Sequence, residues 1–186
     1  MDDVEITRNA VLAGRGDRAA AEAFVSGTRP QLHRVLSYLS NAEVAEDLVQ
    51  ETYLRAVPAL PQYAGRSSAR SWLLAIARHV AADHLRGNRR RPVTAQTEDW
   101  IGTAERSGAS TPDHGRLIVL RWLVAELDGE RREAFVLTQV HGLSYAEAAE
   151  VCHCPVGTIR SRVFRAREDL VVALAGCDIA PSKSCG

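Results

Sequence analysis

Apolar residues recur at helical spacing along most of the chain, with intervals of three and four that place them on one side of a helix. The clearest early stripe consists of Leu32, Val35, Leu36 and Leu39. This pattern predicts a helix over residues 17–39, with a break near 27–30 where glycine and proline occur. Val, Ile and Thr form no alternating runs bounded by turn residues, so strands are not expected. The pattern therefore predicts an all-α protein.

Two more helices are predicted in the first half of the chain. Residues 42–57 form one of them, with Asn41 as its N-cap and two prolines that end it. After a short loop, a longer helix begins near Ser68 and runs to about Arg86, where Gly87 ends it. The core side of this longer helix is predicted to consist of Trp72, Leu73, Ile76, Val80 and Leu85.

The middle of the chain has no helical period. Residues 93–115 contain Thr, Ser, Gly and Pro with a net negative charge, which is typical of a linker without fixed structure. A helix at 115–127, capped by Asp113, and another at 130–141, ended by Gly142, are predicted to follow.

The resulting organisation is two small helical domains joined by an acidic flexible linker. We expect the first domain at residues 1–92, the linker at 93–115 and the second domain at 116–176. The last ten residues, 177–186, are expected to be a disordered tail.

The end of the second domain has the pattern of a helix-turn-helix between residues 144 and 174. Pro155 fits the first turn of the final helix. The predicted buried stripe of this helix consists of Ile159, Val163, Ala166 and Leu170. The opposite side carries Arg160, Ser161, Phe164 and Arg165, and arginine on such a helix can bind guanine edges in the major groove. A solvated arginine face on an ordinary helix is the alternative interpretation.

Charge is segregated along the chain although the formal net charge is zero. Residues 65–92 hold seven arginines against one acid, Asp83, whereas the first 64 residues hold nine acids and six arginines. Local patches determine the field that a polyanion meets at moderate salt, so a neutral total does not exclude nucleic acid as a partner. Lys183 is the only lysine, which also fits the codon bias of a GC-rich genome.

Catalytic and metal-binding patterns are weak. There is no glycine-rich phosphate loop, no nucleophile elbow and no paired zinc-ligand motif, so no enzyme activity, cofactor or metal is predicted. His79 and Asp83 are four residues apart, but two ligands alone are poor evidence for a metal. All four cysteines lie in the last quarter of the chain, at positions 152, 154, 177 and 185. We interpret them as structural thiols of a reduced, cytoplasmic protein, with a redox switch as the alternative.

Three segments together resemble the extracytoplasmic-function, or group 4, sigma factors of bacterial RNA polymerase. They are AEDLVQETYLRAV at 45–57, RSSARSWLLAIARHVAADHLR at 66–86 and FVLTQVHGLSYAEAAEVCHCPVGTIRSRVFRAREDL at 135–170. The composition resembles that of actinobacterial members, of the SigC type. The resemblance implies a sigma region 2 domain followed by a sigma region 4 domain with the helix-turn-helix.

The resemblance also implies roles for residues of the first domain. Polymerase binding, through the β′ clamp helices, would fall to Asp47, Leu48, Gln50 and Glu51. Reading and opening of the −10 element would fall to Tyr63, Ser67, Ser68, Arg78, His79, Asp83, Arg86, Arg89 and Arg90. The family often carries Asn at the position of His79, which puts the identity of the −10 bases in question. The loop from Tyr63 to Ser68 would help hold a base flipped out of the duplex.

In the second domain the resemblance implies binding of the −35 element and of the polymerase β-flap. The −35 contacts would be made by Thr158, Arg160, Ser161, Arg162, Phe164 and Arg165. The implied partners are core RNA polymerase, double- and single-stranded promoter DNA and an anti-sigma factor, with no membrane. Two rival functions remain open: a stand-alone helix-turn-helix regulator, and a redox-sensing interaction protein.

Overall fold

The computed structural model describes the backbone of residues 1–90 and 112–177 and the side chains of residues 1–87 and 119–175. Helices account for the regular structure of the described residues, and no strand occurs among them. The predicted linker, the tail and the side chains of Arg89, Arg90, Cys177 and Cys185 lie outside the described parts.

The first module comprises four α-helices. They are α1 (Asp3–Gly14), α2 (Arg18–Leu39), α3 (Ala45–Ala59) and α4 (Ala69–Arg90), with a 3₁₀ turn at Leu60–Gln62 after α3. The side chains of Asp2 and Asp17 cap α1 and α2 by accepting hydrogen bonds from backbone N–H groups of the first turn. Ser68 caps α4 as predicted, because its Oγ accepts a hydrogen bond from the backbone N–H of Ser71.

The sequence analysis did not predict helix α1, which packs along α2 and α4. Ile6 and Ala10 on its inner side are fully buried. Three contacts tie α1 to both ends of the segment between α3 and α4. Asp3 forms an ion pair with Arg70, and the Thr7 hydroxyl accepts a hydrogen bond from the N–H of Ala69. At the other end Gly14 approaches Leu60 so closely that a Cβ would lie 2.5 Å from its carbonyl oxygen.

Three predicted helix boundaries in this module are wrong. Helix α3 begins at Ala45 rather than at residue 42, and Asn41 does not cap it, because its Oδ1 accepts a hydrogen bond from the N–H of Glu43 in the preceding turn. Helix α2 continues through Gly27 and Pro30, because Phe24 and Leu32 are buried on either side of the expected break and hold one continuous face against the core. Helix α4 continues past Gly87 to Arg90, because Gly87 keeps helical rather than positive φ. A helical glycine costs only about 1 kcal/mol relative to alanine, which packing of the rest of a helix offsets.

The second module comprises α5 (Pro112–Glu126), α6 (Gly129–Phe135), α7 (Tyr145–Cys152) and α8 (Val156–Cys177). Helix α6 runs directly into a π-helical segment at Val136–Val140, which the sequence did not indicate. The backbone of α5 begins at Pro112, before Asp113, the predicted cap. The predicted stripe of α8 is confirmed, since Ile159, Val163, Ala166 and Leu170 are at most 6% exposed.

The two modules pack against each other, so that their buried residues form one continuous core. Helix α4 lies against α7, and α2 lies against α5 and α6. We call this packing of the first module against the second the closed arrangement. Among the described helices, none is long and apolar enough to cross a lipid bilayer.

Candidate nucleic-acid interface

Helices α7 and α8 form the predicted helix-turn-helix. The side chain of Ser144 accepts from the N–H of Glu147, and the Glu147 carboxylate accepts from the N–H of Ser144, so a capping box begins α7. Hydrogen bonds that the Ser144 hydroxyl and the Ser144 N–H donate to the Glu147 carboxylate lower the pKa of Glu147. His153 ends α7 in the left-handed conformation at φ 51°, which turns the chain sharply into α8. The turn thus fixes α8 in the position of a recognition helix.

The outer face of α8 is well suited to contact a duplex. Its exposed residues are Arg160, Ser161, Phe164 and Arg165. No described carboxylate lies within ion-pair distance of Arg160 or Arg165, so both guanidinium groups keep their donors for an external acceptor. Thr158 is half-buried one turn earlier, and its carbonyl oxygen accepts from the Ser161 hydroxyl at 2.9 Å.

Arg162 points to the inside of the second module. Its guanidinium pairs with Glu130 and donates to the Cys154 Sγ at 3.7 Å, and its side chain is 19% exposed. In this structure Arg162 therefore joins α8 to α6 and to the turn, and its −35 contact stays a prediction. Its position two residues after Arg160 puts it about 200° around the helix, which explains the different orientation.

The residues of α4 predicted to contact the −10 element divide into two groups. Arg78 and His79 face the second module: the Nε of Arg78 lies 2.6 Å from Oε1 of Glu133, and the rings of His79 and His153 stack at 6.0 Å between centroids. Burial lowers the pKa of Arg78, but the hydrogen bond and charge of Glu133, together with Cys152 and Cys154, more than offset this, so the pKa of Arg78 is raised overall. In the closed arrangement these contacts engage two of the side chains that are predicted to read the −10 element.

Asp83 and Arg86 form the second group, on the exposed part of α4. Hydrogen bonds from Arg55 and Arg86 hold the pKa of Asp83 below its usual value. Arg55 of α3 also pairs with Glu51, so it bridges the α3 surface and α4. The sequence analysis did not assign Arg55 a role, although the four-residue spacing of Glu51 and Arg55 signals the pair.

The loop before α4 is ordered by its own side chains. The Tyr63 hydroxyl donates to the carbonyl of Ser67 at 2.5 Å, and its ring lies 5.2 Å from that of Trp72. Burial raises the pKa of Tyr63. Trp72 is partly buried against the core, in agreement with its interpretation as a core residue. Tyr63, Ser67 and Ser68 are thereby brought together at the N-terminal end of α4.

The predicted polymerase surface on α3 is only partly accessible. Asp47 and Gln50 are exposed and Glu51 is half-buried, whereas Leu48 is 5% exposed and belongs to the core. Leu48 therefore supports this surface from below in the described structure, and its contact with the polymerase stays a prediction.

The turn formed by Cys152, His153 and Cys154 has the features of a structural element rather than of a redox site. Burial raises the pKa of the Cys152 thiol to about 12, which leaves it protonated and unreactive at neutral pH. Cys154 accepts the hydrogen bond from Arg162, and neither thiol is in a disulfide. Among the described residues no group of three or more His, Cys, Asp and Glu side chains could hold a metal ion.

His141, after the π-helical segment, packs into the first module. It lines a cavity of about 10 Å³ with Gln31 and Leu32 of α2 and with Arg70 and Leu73 of α4. Burial, together with the charges of Arg70 and Arg34, lowers the pKa of His141 to about 4. The closed arrangement thus requires a neutral imidazole at this position.

Comparison with known proteins agrees with this architecture. Residues 24–91 match the family model for sigma-70 region 2, and residues 118–170 match the model for sigma-70 region 4. The chain is 49% identical over 173 residues to the ECF RNA polymerase sigma factor SigC of Mycobacterium tuberculosis, covering 91% of each chain.

Two solved structures resemble the fold. CnrH, solved in complex with the cytosolic domain of CnrY, superimposes with a TM-score of 0.71 at 25% identity, covering 92% of this chain and 98% of that chain. The sigma factor RpoE of Bartonella quintana, solved in complex with the anti-sigma factor NepR, superimposes with a TM-score of 0.61 at 28% identity, covering 78% of this chain and 91% of that chain.

Two modules with DNA-facing helices, in the order region 2 and then region 4, define an alternative sigma factor of bacterial RNA polymerase. The chain belongs to the extracytoplasmic-function group of the sigma-70 family and is SigC-like, as the sequence motifs indicated. Neither the stand-alone regulator nor the redox sensor is favoured by this family. The sigma family directs a polymerase and is not itself enzymatic.

Proposed function

We propose that this chain recruits core RNA polymerase to promoters through three surfaces. The exposed Asp47 and Gln50 of α3, with Glu51, bind the β′ clamp helices. Helix α8 binds the −35 duplex through Arg160, Ser161, Phe164 and Arg165, with Thr158 at its N-terminal end. The second module also binds the β-flap. We also propose that the first domain ends at residue 92, the linker at residue 115 and the second domain at residue 176.

The −10 element is assigned to the N-terminal loop and outer face of α4. Arg78, His79, Asp83 and Arg86 read and open it, while Tyr63, Ser67 and Ser68 support a flipped base. Arg89 and Arg90, whose side chains lie outside the described residues, belong to the same assignment. Because Arg78 and His79 contact Glu133 and His153, the modules have to separate before this surface can work. Polymerase binding supplies that separation, and it makes two weak DNA contacts act as one.

The remaining parts of the proposal concern partners and location. We expect an anti-sigma factor as regulator, since CnrH and the Bartonella RpoE were both solved with protein partners, the latter with an anti-sigma factor. The chain acts in the cytoplasm, at the nucleoid with its polymerase, and has no catalytic activity or cofactor of its own.

One observation carries the proposal: Arg160 and Arg165 lie exposed and without a described ion pair on the second helix of the helix-turn-helix. The test is in vitro transcription with bacterial core polymerase on promoters from the same genome. New start sites should appear with the protein and disappear with Arg160→Ala/Arg165→Ala. Arg18→Ala, which removes an exposed charge from α2, is the matched control. Unchanged start sites with the double variant would refute the assignment.

A further inference from the structure

An open groove of about 360 Å³ lies where α2 of the first module meets α5 of the second. Its lining consists of Pro30, His33, Arg34, Ser37, Tyr38 and Arg121. All but one of these residues belong to α2, and Arg121 is supplied by α5. The groove therefore exists in this form only while the modules are packed together.

The groove concentrates positive charge from both modules. Its lining contains two arginines and a histidine but no acid, and neither Arg34 nor Arg121 has an ion pair with a described carboxylate. Other arginines near the module boundary differ, because Arg78 pairs with Glu133 and Arg70 with Asp3. Two guanidinium groups of like charge thus line the same groove, and an anion bound between them would stabilise the arrangement that brings them together.

The shape of the groove suits a phosphate group. The guanidinium of Arg121 lies 5.2 Å from the centroid of the Tyr38 ring and donates to the Ser37 Oγ at 3.2 Å. These two contacts fix its plane and leave most of its five N–H donors available. The arginine fork binds phosphate oxygens in pairs, and a volume of this size is within the range of small-ligand sites, roughly 300–1,000 Å³.

We propose that a small phosphorylated molecule, of the pyrophosphate or nucleotide class, binds in this groove between Arg34 and Arg121. By bridging α2 and α5 it stabilises the closed arrangement, in which Arg78 and His79 are covered. This site is separate from the DNA and polymerase surfaces, and its existence does not depend on the function proposed for them.

Binding is tested by titration calorimetry of the full chain with inorganic pyrophosphate and with ADP, at constant ionic strength. We expect one site per chain and an affinity reduced about tenfold or more in both Arg34→Gln and Arg121→Gln, as for loss of a charge-assisted hydrogen bond. Arg18→Gln on α2 is the control for net charge and should bind like the unmodified chain. Equal affinities for the two probes would indicate recognition of the phosphate groups alone. Tighter binding of ADP would indicate a nucleotide site.

Bridging is tested by small-angle scattering of Glu133→Gln, which lacks the charge that pairs with Arg78. Pyrophosphate should lower the radius of gyration of this variant, and the effect should be lost when Arg121→Gln is added.

The proposal is overturned if neither probe binds, if Arg18→Gln weakens binding as much as the groove variants, or if Arg121→Gln binds normally. Binding without any change in the radius of gyration would overturn the stabilising role. Arg34 and Arg121 are exposed, so melting temperatures close to that of the unmodified chain should accompany both variants.

Discussion

The Nε atom of Arg78 on α4 lies 2.6 Å from Oε1 of Glu133 on α6, so an ion pair joins the predicted −10 surface to the second module. The side chains are 28% and 14% exposed, which protects the pair from much of the solvent. A residue assigned to DNA is thus held by a residue of its own chain.

Glu133→Gln should loosen the closed arrangement. Loss of the carboxylate leaves the Arg78 charge partly buried without its partner, at a cost of about 1 kcal/mol after allowance for the remaining exposure. We expect a larger radius of gyration and about fivefold tighter binding of a single-stranded −10 oligonucleotide to the free protein. Glu130→Gln removes a charge that pairs within the second module, with Arg162, and should leave oligonucleotide binding unchanged. If both variants bind like the unmodified protein, the ion pair does not control access.

Arg160 and Arg162 should respond differently to replacement by alanine. Arg160→Ala removes an exposed side chain and should weaken −35 recognition by about 1–3 kcal/mol without changing the melting temperature. Arg162→Ala breaks contacts with Glu130 and Cys154 and should lower the melting temperature. Binding of holoenzyme to promoters with single-base changes in the −35 element, together with thermal unfolding, separates the two effects. A loss of base discrimination confined to Arg162→Ala would contradict the orientation described for α8.

On α3, Leu48 and Gln50 are two positions apart but serve different purposes. Leu48→Ala should reduce the free energy of unfolding by about 2–5 kcal/mol, because it leaves a cavity in the core. Gln50→Ala should leave stability within about 0.5 kcal/mol and weaken binding to core polymerase. Urea denaturation and a polymerase-binding titration on the same samples provide the comparison. Normal polymerase affinity of Gln50→Ala would place the clamp surface elsewhere.

The closed arrangement should weaken in mild acid. The pKa of His141 is about 4 when it is packed against the first module and close to 6.5 when it is free, so closure disfavours its protonation. The closed arrangement therefore has its full stability above pH 6.5, where the imidazole is neutral. It loses this stability as the pH falls from 6.5 towards 4. Between pH 7.5 and 5.5 the radius of gyration should therefore rise, with a loss of about 1 kcal/mol in closure.

His141→Gln is the matched variant for this pH effect, because it keeps a polar side chain that does not titrate. Its radius of gyration should change less between the two pH values than that of the unmodified protein. An identical pH response of the two proteins would show that His141 is not the titrating group.

Patterns within one helix were predictable from the sequence. The stripe of Ile159, Val163, Ala166 and Leu170 and the cap at Ser68 depend on neighbours a few residues away, and the structure confirms them. Helix α1 could not be predicted, because its apolar side around Ile6 and Ala10 is short and becomes evident only from its packing against α2.

What could not be predicted depends on long-range contacts. Gly27 and Pro30 predict a break in helix α2, but burial of the residues on both sides of them overrides the local helix propensity. Nothing in the sequence indicates that Arg162 faces Glu130, that His79 stacks on His153 or that His141 enters the first module. These pairings follow from the docking of one module on the other, which no local spacing encodes.

Helix α1 has a consequence for the loop between α3 and α4. It holds one end of the loop through Leu60 and the other through Ala69, while Tyr63 and Ser67 bond across the interior. A mobile loop would lose conformational entropy when it binds DNA. This loop has already lost that entropy during folding, because these contacts hold it in place. If a flipped base enters this loop as proposed, the cost of its entry is mainly that of unstacking, and helix α1 would then influence promoter opening through the loop that it orders.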